Sequence, residues 1–269
     1  MNDPTPQPSG LRPRSVVAGV IVLIGAIPIV VALLLSGGGS AAPATTTTAV
    51  SHFQPVATPT TPAQPNLLLP PGKGALVALV EHPTKMRSAP GGRVFATLPT
   101  HTGFGSPDAV WVARLSGDWL GVVSTLAGNN HLGWIRASDA SLSRVNWELK
   151  VSLAKRMVTV LHAGKAVEHY TIAIGAPTAP TPTGRFAVTD RLNTGDPTGP
   201  YGCCILALSA TAPHHISDWD GGNRIAIHST PETWSIGEDV SHGCMRLTLP
   251  EGRWLLNHIP LGTPTLISS

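Results

Sequence analysis

An apolar run ends in a histidine, Arg224-Ile225-Ala226-Ile227-His228, and twelve intervening residues later comes Ser241-His242-Gly243-Cys244-Met245-Arg246-Leu247. A cysteine nucleophile needs a base or cation that makes its thiolate available, a group that orients the base, and backbone donors aimed at the developing oxyanion. This segment can supply all three. His228 or His242 can act as the base, and Gly243 gives the backbone freedom to turn at the nucleophile so that consecutive N–H groups converge. Taken singly, each residue has an ordinary role as a surface histidine, a turn glycine or a small buried hydrophobe. The ordered combination does not.

The sequence holds three cysteines, Cys203, Cys204 and Cys244. Three are too few for a disulfide scaffold, and an odd count leaves at least one thiol free. A bond between the adjacent Cys203 and Cys204 fights the preferred disulfide dihedral. The pair therefore reads as buried filler, with a redox-sensitive vicinal pair as the alternative, and Cys244 is left as the odd thiol.

The segments that must position these residues are mostly strand-like. LKVSLAKRMVTVLHAGKAVEHYTIAIG alternates apolar and polar residues and predicts a meander with a hairpin turn at Ala163-Gly164-Lys165. Strand-like stretches follow at 185–192, 205–208 and 224–227, separated by Pro/Gly/Thr-rich loops, and EGRWLLNHI (251–259) predicts a short helix. Upstream, ALVALV (75–80), RVFATL (93–98), AVWVARL (109–115), WLGVV (119–123) and GWIRA (133–137) predict short strands of a small barrel or sandwich. The class is mainly β.

Two resemblances follow from these residues. H-S-T-P at 228–231 with S-H-G-C-M-R-L at 241–247 resembles the signature of the L,D-transpeptidase catalytic domain, the YkuD-like family. The family's Thr-Pro-x-G-x-[FY] turn is matched by Thr181–Phe186, and its closing strand by Leu261-Gly262-Thr263-Pro264-Thr265-Leu266-Ile267. The resemblance spans about 148–268 and implies a β-sandwich catalytic domain. It makes Cys244 the acylated nucleophile, His228 the base, and Ser229 the residue whose carbonyl orients His228. His242 and Gly243 flank the nucleophile, with the amides of 242–244 as oxyanion donors, and Ser241, Arg246 and Tyr201 become substrate contacts. For Arg246 the structural alternative is pairing with Glu238 or Asp239. The implied reaction is a 3→3 cross-link between peptidoglycan stems through a cysteine thioester, releasing D-Ala from a tetrapeptide donor. Carbapenem β-lactams would be inhibitors, and no metal or cofactor is needed. Water as acceptor would make the enzyme an L,D-carboxypeptidase. PTKMRSAPGG, VWVARLSGDWLGV and LGWIRASD resemble bacterial SH3-like domains over about seventy residues.

The remaining expectations concern the N-terminal segment. Residues 15–35 carry no charge, enough for a membrane-spanning helix of roughly 20 residues. Arg12 and Arg14 before them predict a cytoplasmic N-terminus. A cleaved signal peptide is the competing reading, favoured by Ala42-Pro43-Ala44 but opposed by the length of the apolar stretch. A Pro/Thr-rich linker would reach on the order of 100 Å at roughly 3 Å per residue. The expected organisation is a cytoplasmic tail at 1–14, a membrane anchor at 15–36, a linker at 37–73, an SH3-like unit at 74–146 and a catalytic domain at 147–269.

Composition and spacing argue against other classes. A formal charge of +3 without a basic cluster gives nucleic-acid binding no support. A metal site from His214, His215, His242 and Cys244 lacks paired zinc-type spacing. A non-catalytic wall-binding protein requires the cysteine to be inert.

Overall fold

The computed structural model describes residues 69–213 and 223–269, and the tail, anchor and most of the linker lie outside them, as do His214 and His215. No helix among the described residues is long and apolar enough to cross a membrane. Strands dominate, with one α-helix among the described residues.

The first sheet has seven antiparallel strands, β1 (Ala75–Val80), β2 (Thr84–Arg87), β3 (Val94–Leu98), β4 (Ala109–Ser116), β5 (Trp119–Val123), β6 (Gly133–Arg136) and β7 (Ala140–Val145), in the order β3-β2-β6-β5-β4-β1-β7. Five of them coincide with the apolar runs of the sequence. β2 (TKMR) and β7 (ASLSRV) were not expected, because each has few apolar residues to mark it. Leu76, Ala78 and Val80 face a core with Met86, Val110, Leu120, Val122 and Ile135. Val77, on the opposite face of β1, packs with Ala109 and Val145 against Trp147 and Leu261. Burial on both faces accounts for Val77 in the unbroken ALVALV run, whereas Leu79 on the same face as Val77 is exposed.

At Asn146 the chain passes into the second sheet, and both sheets lie in one compact unit. Its elements are β8 (Trp147–Ser152), β9 (Met157–His162), β10 (Lys165–Thr171), β11 (Ile174–Gly175), β12 (Gly184–Asn193), β13 (Cys204–Thr211), β14 (Arg224–Ser229), β15 (Asp239–Ser241), β16 (Met245–Leu247), α1 (Leu249–His258) and β17 (Pro264–Ser268). Eight of the strands run in the order β10-β9-β8-β17-β12-β13-β14-β16, and β11 pairs with β15 separately. The predicted β9–β10 hairpin forms with both loop residues left-handed, Ala163 at φ 51° and Gly164 at φ 79°, which suits the twist of the flanking strands.

Strand β12 is the pivot of the sheet. Its first half, Gly184–Ala187, pairs with β17, and its second half, from Val188, pairs with β13. The two halves of the sheet share one core, in which Phe186, Val188, Leu206, Leu208, Ile225, Ile227 and Met245 join Leu149, Val158 and Val160. Helix α1 begins where the Glu251 carboxylate accepts a hydrogen bond from the Thr248 amide at 2.9 Å, the reciprocal half of a capping box.

Two side chains from the first sheet's Gly128–Asn130 turn fasten it to the second. Asn129 donates to the Thr211 carbonyl at 2.7 Å and accepts from the Thr211 amide at 2.9 Å. Asn130 donates to the Thr183 carbonyl at 3.0 Å and accepts from the Arg185 amide at 3.1 Å. The sequence marked these residues only as a turn.

Candidate active site

Strand β14 carries His228 at its end, and β16 runs parallel to it with His228 opposite Arg246 and Ile227 opposite Met245. Cys244 immediately precedes β16, so the pairing sets the thiol beside the strand that carries the imidazole. His228, Cys244, Tyr201, Arg246, Ser241 and His242 all line one pocket of about 230 Å³. A larger cavity of about 610 Å³, with Trp111, Trp147 and Lys73 in its wall, pairs no nucleophile with a base.

His228 is 3% exposed. Its Nδ1 lies 2.7 Å from the Ser229 carbonyl oxygen, so Nδ1–H donates there and Nε2 is left as the basic nitrogen. Burial lowers the imidazole pKa to about 4, the Ser229 carbonyl opposes that shift, and the charge of Arg246 adds to it. His242, the other candidate base, is exposed at the pocket rim.

Cys244 is a free, half-buried cysteine. Its sulfur faces the Arg224 carbonyl at 3.8 Å. Burial pushes the thiol upward, against the Ala226 backbone N–H and the charge of Arg246, which both favour the thiolate. The sequence argument expected a thiolate held ready near neutral pH. The site instead holds a neutral thiol beside a neutral imidazole, because desolvation penalises both charged forms.

Gly243 adopts φ +108°, and a Cβ there would come within 2.9 Å of Ile225. Its carbonyl accepts from the buried Thr181 hydroxyl at 2.8 Å, and the same hydroxyl accepts from the Gly175 amide at 2.9 Å. Thr181 thus ties the Thr-Pro turn to the nucleophile loop, a role the sequence did not reveal. Ser241 is buried, held in the β11–β15 pair opposite Gly175. Its hydroxyl accepts from the Gly243 amide at 3.1 Å and donates to the Cys244 carbonyl. The Gly243 amide is therefore already engaged, and the Cys244 amide is the better candidate donor toward an oxyanion.

The side chain of Arg246 pairs with Glu232 at 2.8 Å. The sequence offered Glu238 or Asp239 as its partner, but Asp239 is held by Arg156 at 2.5 Å. Buried Nε of Arg246 has no hydrogen-bond partner among the described residues. Glu232 and Arg224 also line the pocket, and neither was marked by the sequence. Tyr201 lies edge-on to His228 with ring centroids 5.0 Å apart. Ser229 is fully buried, and its hydroxyl accepts from the Cys204 amide at 3.1 Å. Cys203 and Cys204 are buried, as expected, but they are also disulfide-bonded, which corrects the argument against a bond between neighbours. Among the described residues no group of three or more His, Cys, Asp or Glu could hold a metal.

This arrangement puts a free thiol and an imidazole of fixed tautomer on one pocket, with an arginine in its wall, the pieces that proton transfer in thiol acyl transfer requires. Residues 146–267 match the family model of the L,D-transpeptidase catalytic domain, YkuD. Two Bacillus proteins, each named "Putative L,D-transpeptidase YkuD", are similar over 124 residues. The one from B. subtilis (strain 168) is 29% identical over 46% of this chain and 67% of its own. The one from B. licheniformis is 30% identical over the same shares. An L,D-transpeptidase structure from Mycobacterium smegmatis aligns with 60% of this chain and 89% of its own at 18% identity and a TM-score of 0.38. On the matched catalytic segment and the identity shared with its Bacillus relatives, this chain belongs to the YkuD family of L,D-transpeptidases.

Proposed function

We propose that this chain is a cell-surface L,D-transpeptidase that forms 3→3 peptidoglycan cross-links through a thioester on Cys244. The observation that carries the reading is the shared pocket, where a free thiol and a buried imidazole of fixed tautomer open on the same space as Arg246.

The neutral resting pair sets the order of events. As the Cys244 sulfur adds to the carbonyl between the L-centre of stem residue three and the terminal D-Ala, its proton passes to Nε2 of His228. The Cys244 amide meets the developing oxyanion. The C–N bond then breaks, and the imidazolium returns the proton to the departing D-Ala amine. A side-chain amine of a second stem attacks the thioester, loses its proton to Nε2, and the sulfur leaves and is reprotonated. Arg246, fixed by Glu232, sets its guanidinium charge in the pocket wall, where it can draw in a stem carboxylate. A strained β-lactam carbonyl, as in a carbapenem, would acylate the same sulfur.

Residues 15–36 serve as the membrane anchor in this reading, with the N-terminus cytoplasmic, and residues 37–73 carry the working part into the wall. The SH3-like unit at 74–146 contacts wall polymer or spaces the catalytic domain at 147–269. The test is product analysis with a disaccharide-tetrapeptide as both donor and acceptor. Free D-Ala together with a 3→3 dimer supports the proposal. D-Ala with hydrolysed tripeptide alone replaces it with an L,D-carboxypeptidase, and no release from the folded chain contradicts both.

A further inference from the structure

Tyr201, Gly202, Cys203 and Cys204 run consecutively into β13, with the last two joined by a disulfide. Ser229 is the hub of this turn. Its hydroxyl accepts from the Cys204 amide at 3.1 Å, donates to the Tyr201 carbonyl at 3.3 Å and lies 3.5 Å from the Cys203 sulfur. The same serine's carbonyl holds Nδ1 of His228. Gly202 sits at φ +55°, and a Cβ there would approach the Ser229 hydroxyl to 2.5 Å and Leu249 to 2.8 Å. On the other side, Thr194 donates its hydroxyl to the Gly202 carbonyl at 2.5 Å and its amide to the Cys203 carbonyl at 2.9 Å.

What this pinned turn presents to the pocket is the ring of Tyr201. The ring stands edge-on to His228, and the Tyr201 phenol is raised first by burial and then by the neighbouring Cys244. Tyr201 therefore packs edge-on against His228 and shares the pocket wall with Cys244. Its backbone is fixed by a covalent ring one residue away and by a serine that also fixes the imidazole. A two-residue ring removes backbone freedom in the turn that carries the tyrosine, and reacting groups tolerate little misplacement.

We propose that the Cys203–Cys204 disulfide is a positioning element for acyl transfer, locking the turn so that Tyr201 covers His228 and walls the Cys244 sulfur from water. Two-electron reduction by a dithiol opens it. One reductant thiol attacks a protein sulfur to give a mixed disulfide, and the second displaces it. Two protein thiols and the cyclic disulfide of the reductant result. The turn then relaxes and acylation of Cys244 slows. This inference rests on the acyl-transfer reading above.

The experiment follows carbapenem adduct formation on the full chain by intact mass. It compares the oxidised protein, the dithiothreitol-reduced protein after removal of reductant, Cys203→Ala/Cys204→Ala, Tyr201→Ala and the triple variant. The reduced native chain serves where the double variant does not fold. Loss of the disulfide should slow acylation about tenfold to a hundredfold. Tyr201→Ala should do the same, and the triple variant should lose nothing further, the non-additivity expected of residues acting as a unit. Equal acylation rates in oxidised and reduced chains, with only the melting temperature lowered, would overturn the inference, as would fully additive losses. Absence of any adduct on the oxidised chain would sink the acyl-transfer reading and this inference with it.

Discussion

The Ser229 carbonyl oxygen lies 2.7 Å from Nδ1 of His228, and that bond decides which nitrogen faces the chemistry. A buried imidazole with its Nδ1–H committed to a carbonyl can accept a proton only at Nε2.

The pH dependence follows from the pKa of about 4. The base is competent when neutral, so the acid limb of kcat/KM should fall near pH 4, well below the 6.5 of free histidine. An acid limb at pH 6.5 would contradict the buried, neutral imidazole. Stability should move the same way. Between pH 6.5 and 4 the unfolded chain binds a proton that the folded chain refuses, so stability falls as pH drops through that window, by up to roughly 3 kcal/mol. His228→Gln should flatten this dependence in denaturant titrations and lower kcat/KM about a hundredfold or more.

Asp108 shows the opposite sign. Burial first, then the charge of Asp190, raises its pKa from 3.8 to about 6, with Arg224 opposing. The folded chain holds a proton that the unfolded chain releases between these values, so stability declines as pH rises from 3.8 to 6 and stays lowered above it. Asp108→Asn should therefore stabilise the protein at pH 7.5 by up to about 3 kcal/mol and change little at pH 3.5. Melting temperatures of the two proteins at both pH values check this.

Gly243→Ala places a methyl at φ +108° and within 2.9 Å of Ile225. A strained backbone of this kind costs about 1–3 kcal/mol. A lowered melting temperature should accompany a loss of carbapenem acylation larger than the fraction unfolded explains, since the residue directly precedes the nucleophile.

The charge of Arg246 helps hold the Cys244 thiol down and lowers His228. Arg246→Met should raise the thiol pKa, seen as an alkaline shift in the pH profile of iodoacetamide labelling, and should raise KM for a carboxylate-bearing stem. Glu232→Gln, which loosens the 2.8 Å pair, should raise KM with a smaller pH shift.

Much of the fold could be read where apolar runs were long. ALVALV and RIAI announced β1 and β14, and Ala163-Gly164 announced its hairpin because only left-handed residues close a two-residue loop of this twist. TKMR and ASLSRV escaped because their strands depend on neighbours for burial. The grouping of His228 with Cys244 was legible from their motif, since a parallel strand pair brings such segments together. Their protonation was not, because desolvation depends on what packs around them. Glu232 displaced Glu238 and Asp239 as the partner of Arg246 because the 231–238 loop folds back on itself, with the Ser235 and Glu238 amides bonded to the Glu232 and Ser235 carbonyls at 3.0 Å each. The Cys203–Cys204 bond was argued against on ring geometry alone, without knowledge of the Gly202 turn that accommodates it.

The most direct measurement is the intact mass of the chain during turnover of a disaccharide-tetrapeptide, compared with Cys244→Ala. The account predicts a transient adduct equal to the donor less D-Ala, mapping to the Cys244 peptide and absent from the variant. D-Ala release by the Cys244→Ala protein, or an adduct on another residue, would contradict it.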